Sequence, residues 1–562
     1  MKFSAARAKL PSLTNSLLAI LSAILLTLAF PDFDWWFFAW FALGPLFYAI
    51  EREKESIVKS FVLGWIFGTG FFFGSCWWLT FSFITYGGIP TPIAYFLLLI
   101  ISLMVGFFPA LFGAIFSLVL KRFGTYGVLS APFLWTATEF LRFNLTGNNW
   151  NAIGYSQAFD SGLLKYASVG GVYLVSFVTI VVSLWLSLIA YSILYFYGHF
   201  FVRLFRNILN AGKNVQTELF SIDEPPILKN KKYLVIAFVG LWIFLTFLNY
   251  SLPLNNSGTN SRKISAEVIA LQPNIPMSGL NKAKWLNLRQ RHVELAEDAL
   301  QKLNVQPTTD NRPPTTVIFP ESPMNFMYER DEEFQAFIRN FARKHNVYVL
   351  FNSAEPNAKN ANFYNSAIMV NPQGEKIGQY DKIHLVPFGE YAPVPSAVEQ
   401  FVPTLVGNFQ YGENYDLFPF GEARGGIMIC YESHFASLSR EFVKRGADVL
   451  IEMTNDGYLG NTPVLRQHLA NAVFRAVETN RPVLRVTNVG VTAYVNERGE
   501  VFDAAQPYTE DTRVWTISKS DGKQTVYVRY GEWFAWLCSI LSLVLLSICF
   551  WNRKNLTTNE HR

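Results

Sequence analysis

Apolar and polar positions follow two different patterns along this chain. Residues 1–250 and 533–551 contain long apolar runs, whereas 251–532 alternates short apolar stretches with amphipathic ones. Apolar runs of about 20 residues are long enough to cross a bilayer as helices. Strand-like runs that alternate with helical patterns of about 12–18 residues predict an α/β domain whose sheet is covered by helices. The pattern therefore predicts a polytopic α-helical membrane domain together with an α/β domain.

The apolar runs predict about eight membrane spans, of which the last follows the α/β domain. They lie near residues 13–30, 36–50, 57–80, 92–120, 126–141, 166–198, 233–250 and 533–551. The second and the fifth are shorter than the usual length of about 20 residues. The turns NPQGE and NERGE predict hairpins, so part of the sheet is expected to be antiparallel.

Basic residues are concentrated on alternate loops. They cluster at 2–9, 52–59, 121–122, 203–232 and 553–554, whereas the short opposite loops PDFDWW and TYGGIPTP contain none. Because basic loops remain in the cytoplasm, both termini are predicted to be cytoplasmic. The expected domains are a seven-helix membrane domain over 1–250, an extracytoplasmic domain over 251–532, and an eighth helix with a cytoplasmic tail over 533–562.

Composition supports the membrane assignment. The chain has 562 residues, 51% of them hydrophobic and 16% charged, whereas a typical soluble domain is roughly 25% charged. The net charge of +5 is small for this length, and we expect no nucleic acid among the partners.

Three chemically active side chains each follow an apolar, strand-like run. Cys430 ends GGIMIC and is the only one of the four cysteines outside the membrane-like segments, while Glu321 ends TTVIFPE and Lys382 follows GQYD. A lone thiol cannot form an internal disulfide, so it is either buried and inert or reactive. A thiol with a carboxylate and an ammonium group has the parts needed for covalent acyl transfer.

The motifs around these residues carry a family resemblance. FPES, YDKIHLVPFGEY and ICYES, in this order, resemble the carbon–nitrogen hydrolase (nitrilase) superfamily over 264–518. The strings YDKIHLVPFGEYAP, RAVETNRPVLRVTNVGVTA and NWNAIGYSQ, with the arrangement of spans, resemble its apolipoprotein N-acyltransferase branch. The resemblance implies a nitrilase-like αββα sandwich and a ping-pong reaction of lipoprotein maturation. A phospholipid gives an acyl chain to the cysteine as a thioester, and the N-terminal amine of a diacylglyceryl-cysteine lipoprotein accepts it.

The resemblance implies roles for the residues of this sequence that match the family's motifs. The resemblance implies Cys430 as the nucleophile, Glu321 as the general base and Lys382 as the cation that stabilises the oxyanion. It also implies the backbone N–H of Tyr431 as a second oxyanion donor, supporting roles for Glu390, Tyr431 and Glu432, and a substrate-binding role for Trp285.

Two apolar segments flank these motifs, at 323–329 and 391–412. Exposed apolar segments on a soluble enzyme favour aggregation, whereas beside a bilayer they can enter its interface. We therefore expect lids over the site, with Phe326 and Phe401 in contact with substrate. The alternative is that both segments pack into the core of the domain.

The chain departs from the family pattern at three places. Phe319 stands where tryptophan is usual, NDGYLG (455–460) has Gly-Tyr-Leu where Ala-Trp-Phe is common, and GNNW (147–150) replaces Gly-Phe-Pro-Trp. The last two affect the expected recognition of the acyl chain or the lipid head group.

No cofactor and no metal are expected, because His384, His434 and His468 lack the spacing of a zinc site. The expected partners are a phospholipid donor, a diacylglyceryl lipoprotein acceptor and the bilayer, with the chain a monomer in the bacterial inner membrane and its catalytic domain in the periplasm.

Two other enzyme classes fit the same residues. A membrane-tethered nitrilase or amidase that hydrolyses a small amide would share the triad, although it has no need of eight spans. An acyltransferase that acts on another lipid amine would use both domains. A transporter would be expected to carry ionisable groups deep inside its spans, where Glu139 is nearly the only candidate.

Overall fold

The computed structural model describes residues 10–159, 162–209, 246, 263–278, 282–303, 312–321, 327–357, 362–391 and 409–559. Its first part is helical. The helices are α1 (Leu13–Leu28), α2 (Gly44–Arg52), α3 (Ile57–Ser75), α4 (Leu79–Thr85), α5 (Thr91–Phe123), α6 (Ala131–Thr146) and α7 (Ala167–Leu209).

Four stretches are long and apolar enough to cross a membrane, judged by length and composition: Ile57–Ser75, Thr91–Thr146, Leu164–Ala190 and Trp533–Trp551. The predicted second span is a 3₁₀ helix, Trp36–Trp40, followed by the nine-residue α2. A helix of nine residues extends only about 14 Å, which is too short to cross a bilayer. The prediction failed because an apolar composition indicates burial but does not specify the length of a helix. The predicted span at 233–250 lies outside the described residues except for Thr246, so the number of spans and the domain boundaries stay predictions.

Small residues allow α3 and α5 to pack closely. A Cβ atom on Gly64 would lie 2.2 Å from the carbonyl oxygen of Pro109 in α5. Gly68, one turn along α3, faces Gly106 and Pro109 in the same way. Close backbone approach at small residues is a common means of helix association in membranes.

The second part contains the twelve strands β1 (Ile264–Gln272), β2 (Thr315–Ile318), β3 (Tyr348–Pro356), β4 (Phe363–Val370), β5 (Lys376–Asp381), β6 (Leu417–Phe420), β7 (Ala423–Ile429), β8 (Val449–Thr454), β9 (Val483–Thr487), β10 (Ala493–Val495), β11 (Val501–Phe502) and β12 (Asp511–Ser518). Its helices, including the last one of the chain, are α8 (Lys282–Lys302), α9 (Glu332–His345), α10 (Ala436–Lys444), α11 (Val464–Thr479), α12 (Val526–Tyr530) and α13 (Trp533–Asn559).

These strands form two six-stranded sheets, in the orders β12-β1-β2-β3-β4-β5 and β11-β10-β9-β8-β7-β6. The β4–β5 and β10–β11 pairs are antiparallel hairpins, as the NPQGE and NERGE turns predict. Strand β1 shows how the layers form. Its residues Ile269 and Leu271 pack with α8 and α9, whereas Val268 and Ala270 point into the core shared with the second sheet. Because α10 and α11 cover the other side of that sheet, the predicted αββα sandwich is confirmed.

The two parts of the molecule contact each other beside the turn after β8. The Ser82 hydroxyl donates to the carbonyl of Tyr458 at 2.7 Å, and the Tyr86 hydroxyl donates to that of Gly457 at 3.2 Å. The apolar helices therefore hold a loop that leads into the site described next.

Candidate active site

Three strand ends bring Glu321, Lys382 and Cys430 together. Glu321 follows β2, Lys382 follows β5 and Cys430 follows β7. Lys382 Nζ lies 3.8 Å from Glu321 Oε1, and the charges of Glu321 and Lys382 both act on the Cys430 thiol. Lys382 is fully buried, while Cys430 is half-buried. The structure therefore brings a thiol, a carboxylate and an ammonium group into one cluster at the ends of strands from both sheets.

Two asparagines orient the carboxylate of Glu321. Asn365 donates its side-chain N–H to one oxygen at 3.0 Å, and the backbone N–H of Asn455 donates to the other at 3.1 Å. Both asparagines are buried. With both oxygens held in place, the carboxylate keeps a fixed direction toward Cys430.

Burial keeps the proton on the thiol of the resting site. Burial and the neighbouring Glu321 raise the pKa of Cys430 well above its ordinary value. Burial also raises the pKa of Glu321, with a further contribution from Glu390 and an opposing one from Lys382. A thiolate is the nucleophilic form of cysteine, so Cys430 could act as a nucleophile only if a neighbouring group removed its proton.

Glu390 keeps Lys382 charged. Its carboxylate accepts hydrogen bonds from Lys382 Nζ at 2.9 Å, from Asn365 at 2.7 Å and from the backbone N–H of Val386 at 2.8 Å. Burial alone lowers the pKa of Lys382, but Glu390 and Glu321 more than offset this effect, and the net pKa is raised. The site therefore contains a permanent ammonium group.

Glu432 connects the end of β7 to the lysine loop, the segment after β5 that begins with Lys382. Its carboxylate accepts from the backbone N–H groups of Ile429 at 2.8 Å, Ile383 at 2.6 Å and His384 at 3.0 Å, and from the Tyr380 hydroxyl at 2.8 Å. Burial raises its pKa to about 7. These four bonds fix the positions of Cys430 and Lys382 relative to each other.

Cys430 occupies a sharp turn. Cys430 has a φ of +53° and begins the 3₁₀ helix Cys430–His434. Positive φ is uncommon for residues other than glycine and is frequent at functional sites. The next residue, Tyr431, stacks against His434 and its hydroxyl accepts from Asn148 at 3.1 Å. The GNNW departure therefore lies directly beside the nucleophile.

The other predicted residues lie elsewhere or outside the described residues. Trp285 is half-buried in α8 and packs in the apolar cluster between the first sheet and the helices that cover it. Phe326 and Phe401 lie outside the described residues, as do most of the two proposed lid segments. The roles of these three residues therefore stay predictions.

Sequence patterns did not indicate several of the polar residues that the site uses. Asn365 falls within a strand whose local pattern is unremarkable, and the NDGYLG departure does not indicate that the backbone N–H of Asn455 contacts Glu321. Among the described residues, no group of three or more His, Cys, Asp or Glu side chains could hold a metal ion.

Comparisons with known proteins identify the family of the chain. Residues 22–185 match the apolipoprotein N-acyltransferase N-terminal domain, and residues 258–527 match the carbon–nitrogen hydrolase domain. The apolipoprotein N-acyltransferase of Geobacter metallireducens is 29% identical over 553 residues, which cover 96% of each protein. That of Haemophilus influenzae is 27% identical over 551 residues, again 96% of each protein.

Among solved structures, Saccharomyces cerevisiae Nit3, a member of branch 10 of the nitrilase superfamily, shares 21% identity with a TM-score of 0.36, covering 47% of this chain and 93% of that one. The two matched domains follow each other in the same order along the chain and together cover most of it. The chain belongs to the apolipoprotein N-acyltransferase family, a membrane branch of the nitrilase superfamily.

Proposed function

We propose that Cys430, Glu321 and Lys382 carry out the lipoprotein N-acylation of this family in two half-reactions. The observation that carries the proposal is the shared position of the three side chains, with Lys382 Nζ 3.8 Å from the Glu321 carboxylate and the Cys430 thiol subject to the charges of both. Nucleophile, base and oxyanion cation are the groups that acyl transfer through cysteine requires.

In the first half-reaction the acyl donor is a phospholipid. Glu321 takes the thiol proton as the sulfur of Cys430 attacks the ester carbonyl carbon, and the carbonyl oxygen becomes an oxyanion facing Lys382. When this intermediate collapses, the C–O bond to the glycerol oxygen breaks and Glu321 returns the proton to that oxygen. The products are a lysophospholipid and an acyl thioester on Cys430.

In the second half-reaction the acceptor is the N-terminal amine of a diacylglyceryl-cysteine lipoprotein. The amine nitrogen attacks the thioester carbon and gives a proton to Glu321, the C–S bond breaks, and the departing sulfur takes that proton. The amide formed lies lower in free energy than either the ester or the thioester, so the transfer runs forward. The raised pKa of Glu321, which burial causes, suits a group that both accepts and returns a proton.

Supporting residues keep this geometry in place. Glu390 holds Lys382 charged and Glu432 ties the nucleophile turn to the lysine loop. The backbone N–H of Tyr431 acts as the second oxyanion donor. The four long apolar helices anchor the enzyme in the membrane where its lipid substrate resides, and the alternation of basic loops supports cytoplasmic termini with a periplasmic catalytic domain. The enzyme acts as a monomer.

The test is direct labelling of the nucleophile. Detergent-solubilised protein is incubated with an alkyne-tagged phospholipid, and the adduct is located by mass spectrometry. We expect one hydroxylamine-sensitive acyl group on Cys430. Cys549→Ser serves as the control, because this cysteine lies in α13 outside the sandwich, and that variant should label normally. Labelling that persists in Cys430→Ser, or that resists hydroxylamine, would contradict the thioester.

A further inference from the structure

Four buried ionisable side chains lie directly behind the nucleophile. Glu452, Asp456, His468 and Arg485 are each no more than 3% exposed. Arg485 pairs with Glu452 and, at 2.6 Å, with Asp456. His468 lies between the same two carboxylates, with Nδ1 2.7 Å from Asp456 and Nε2 3.1 Å from Glu452. The proposed mechanism gives none of these four a role.

His468 also reaches the backbone of the nucleophile. Its Nε2 lies 3.2 Å from the carbonyl oxygen of Cys430 and 3.0 Å from the Ser433 hydroxyl. In the neutral ring the single proton would sit on Nδ1, where Asp456 is closest. The Nε2 lone pair would then face two acceptors, the Cys430 carbonyl and Glu452. The Ser433 hydroxyl could donate to that lone pair, but the two acceptors would still face it, whereas the protonated ring donates from both nitrogens and leaves neither acceptor facing a lone pair.

The peptide group after Cys430 links this contact to catalysis. The carbonyl of Cys430 and the N–H of Tyr431 belong to one planar trans unit, so they point in opposite directions. A donor that holds the carbonyl oxygen on the inner side therefore aims the Tyr431 N–H outward. A cation bonded to the carbonyl also polarises the peptide group and strengthens that N–H as a donor.

We infer that protonated His468 is a positioning residue, which holds the Cys430–Tyr431 peptide group so that the Tyr431 N–H faces the oxyanion. The inference rests on the proposed function, because it takes Cys430 as the nucleophile. It also accounts for the left-handed conformation of Cys430, which needs surrounding contacts to persist.

The charges around the ring decide its protonation. Burial and Arg485 lower the pKa of His468, but Asp456 and Glu452 outweigh them and raise it to about 9. The neutral His434 and the indole of Trp150 also face this cluster. His468 therefore carries its proton at neutral pH and loses it as the pH rises through about 9.

The first experiment compares two reactions of the same thiol. Acylation by a phospholipid passes through an oxyanion, whereas alkylation by iodoacetamide does not. In His468→Gln we expect the single-turnover rate of Cys430 acylation to fall about 100-fold, the effect of losing one oxyanion donor, while alkylation changes less than about threefold. Equal losses in both reactions would mean a structural role only and would overturn the inference. His345→Gln is the matched control, because this histidine at the end of α9 also pairs with a glutamate, Glu297, and the variant should leave both rates unchanged.

The second experiment needs no folded His468 variant. The initial acylation rate of the wild-type protein should fall as the pH rises through about 9, while alkylation continues to rise as thiolate forms. Glu452→Gln removes one of the two carboxylates that hold the proton, so the alkaline fall should move to lower pH. An acylation rate that stays level to pH 10, or a midpoint unmoved in Glu452→Gln, would overturn the inference. Absence of any acyl group on wild-type Cys430 would instead contradict the proposed function itself.

Discussion

The backbone N–H of Val172 in α7 lies 3.2 Å from the carboxylate of Glu478 in α11. Helix α7 is interrupted at Gly170 and Gly171, whose backbone angles are not helical, so the N–H of Val172 needs a partner from another element. Glu478 also pairs with Arg475 at 2.8 Å. One carboxylate thus joins an apolar helix to the catalytic sandwich.

Arg475 extends this connection to the nucleophile. Its guanidinium donates to the carbonyls of Ser433 and His434, both at 3.0 Å, at the end of the short helix that begins with Cys430. Arg475 and Glu478 are completely buried. The position of the apolar helix is therefore mechanically linked to the helix that carries the nucleophile.

Glu478→Ala is expected to destabilise the protein by about 3–5 kcal/mol, because it leaves Arg475 buried without its partner. The measurement is thermal or denaturant unfolding in detergent. Glu441→Ala is the matched control, since it removes the exposed pair with Arg445 on α10 and should cost less than about 1 kcal/mol. Similar losses in the two variants would argue against a special role for the buried pair.

Cys430→Ser should abolish acyl transfer and leave the fold intact. Serine preserves the size of the side chain, but its hydroxyl is a weaker nucleophile in a site whose base has only to remove a thiol proton. The assay is N-acylation of a diacylglyceryl peptide, with unfolding midpoints compared in parallel. Activity above a few per cent of wild type in a folded variant would remove Cys430 from its assigned role.

Glu321→Gln should block formation of the thioester, with a loss of about 10²–10⁴-fold, the usual contribution of a general base. The wild-type acylation rate should fall as the pH drops through the pKa of Glu321, which burial raises above its ordinary value, because the protonated carboxyl cannot accept the thiol proton. The glutamine variant should lack this acid dependence. If the acylation rate of Glu321→Gln falls at low pH as the wild-type rate does, the group that titrates is not Glu321.

Lys382→Ala should also slow formation of the thioester, by about 10²–10³-fold, which is the effect of removing one oxyanion contact. The loss of the ammonium leaves Glu390 and Glu321 facing each other without a cation. A single-turnover assay measures formation of the acyl-enzyme separately from transfer of the acyl chain to the amine. If the variant accumulates acyl-enzyme at the normal rate, Lys382 does not stabilise the oxyanion.

The sequence was sufficient to predict that Glu321, Lys382 and Cys430 lie near one another, because each follows a strand within a recognisable motif; their catalytic roles stay predictions. The polar residues that orient them were harder to find. Asn365 lies within β4, opposite Ala354 of β3, and the face it presents depends on sheet register. In the sequence, His468 was considered only as a zinc ligand, for which its spacing is unsuitable. Because every residue of α11 except Arg466 is buried, the helix shows no amphipathic pattern that would distinguish one face.

No local sequence pattern predicted the contacts between the two parts of the molecule. Gln467 in α11 accepts hydrogen bonds from the indole N–H groups of Trp78 at 3.1 Å and Trp150 at 2.9 Å. Its amide also donates to the carbonyl of Ser75 at 3.0 Å. These partners are separated from Gln467 by more than 300 residues of sequence, so only the folded structure reveals that one glutamine joins them.

Gln467→Leu tests whether this junction supports the site. Leucine has a similar size but leaves two buried indole N–H groups without an acceptor, and each unsatisfied group costs about 1–3 kcal/mol. We expect a lower unfolding midpoint and, because Trp150 belongs to the loop whose Asn148 bonds to Tyr431, a slower acylation of Cys430. Gln301→Leu on the exposed side of α8 is the matched control and should change neither property. If Gln467→Leu is destabilised but acylates Cys430 at the wild-type rate, the junction holds the two parts together without influencing the nucleophile.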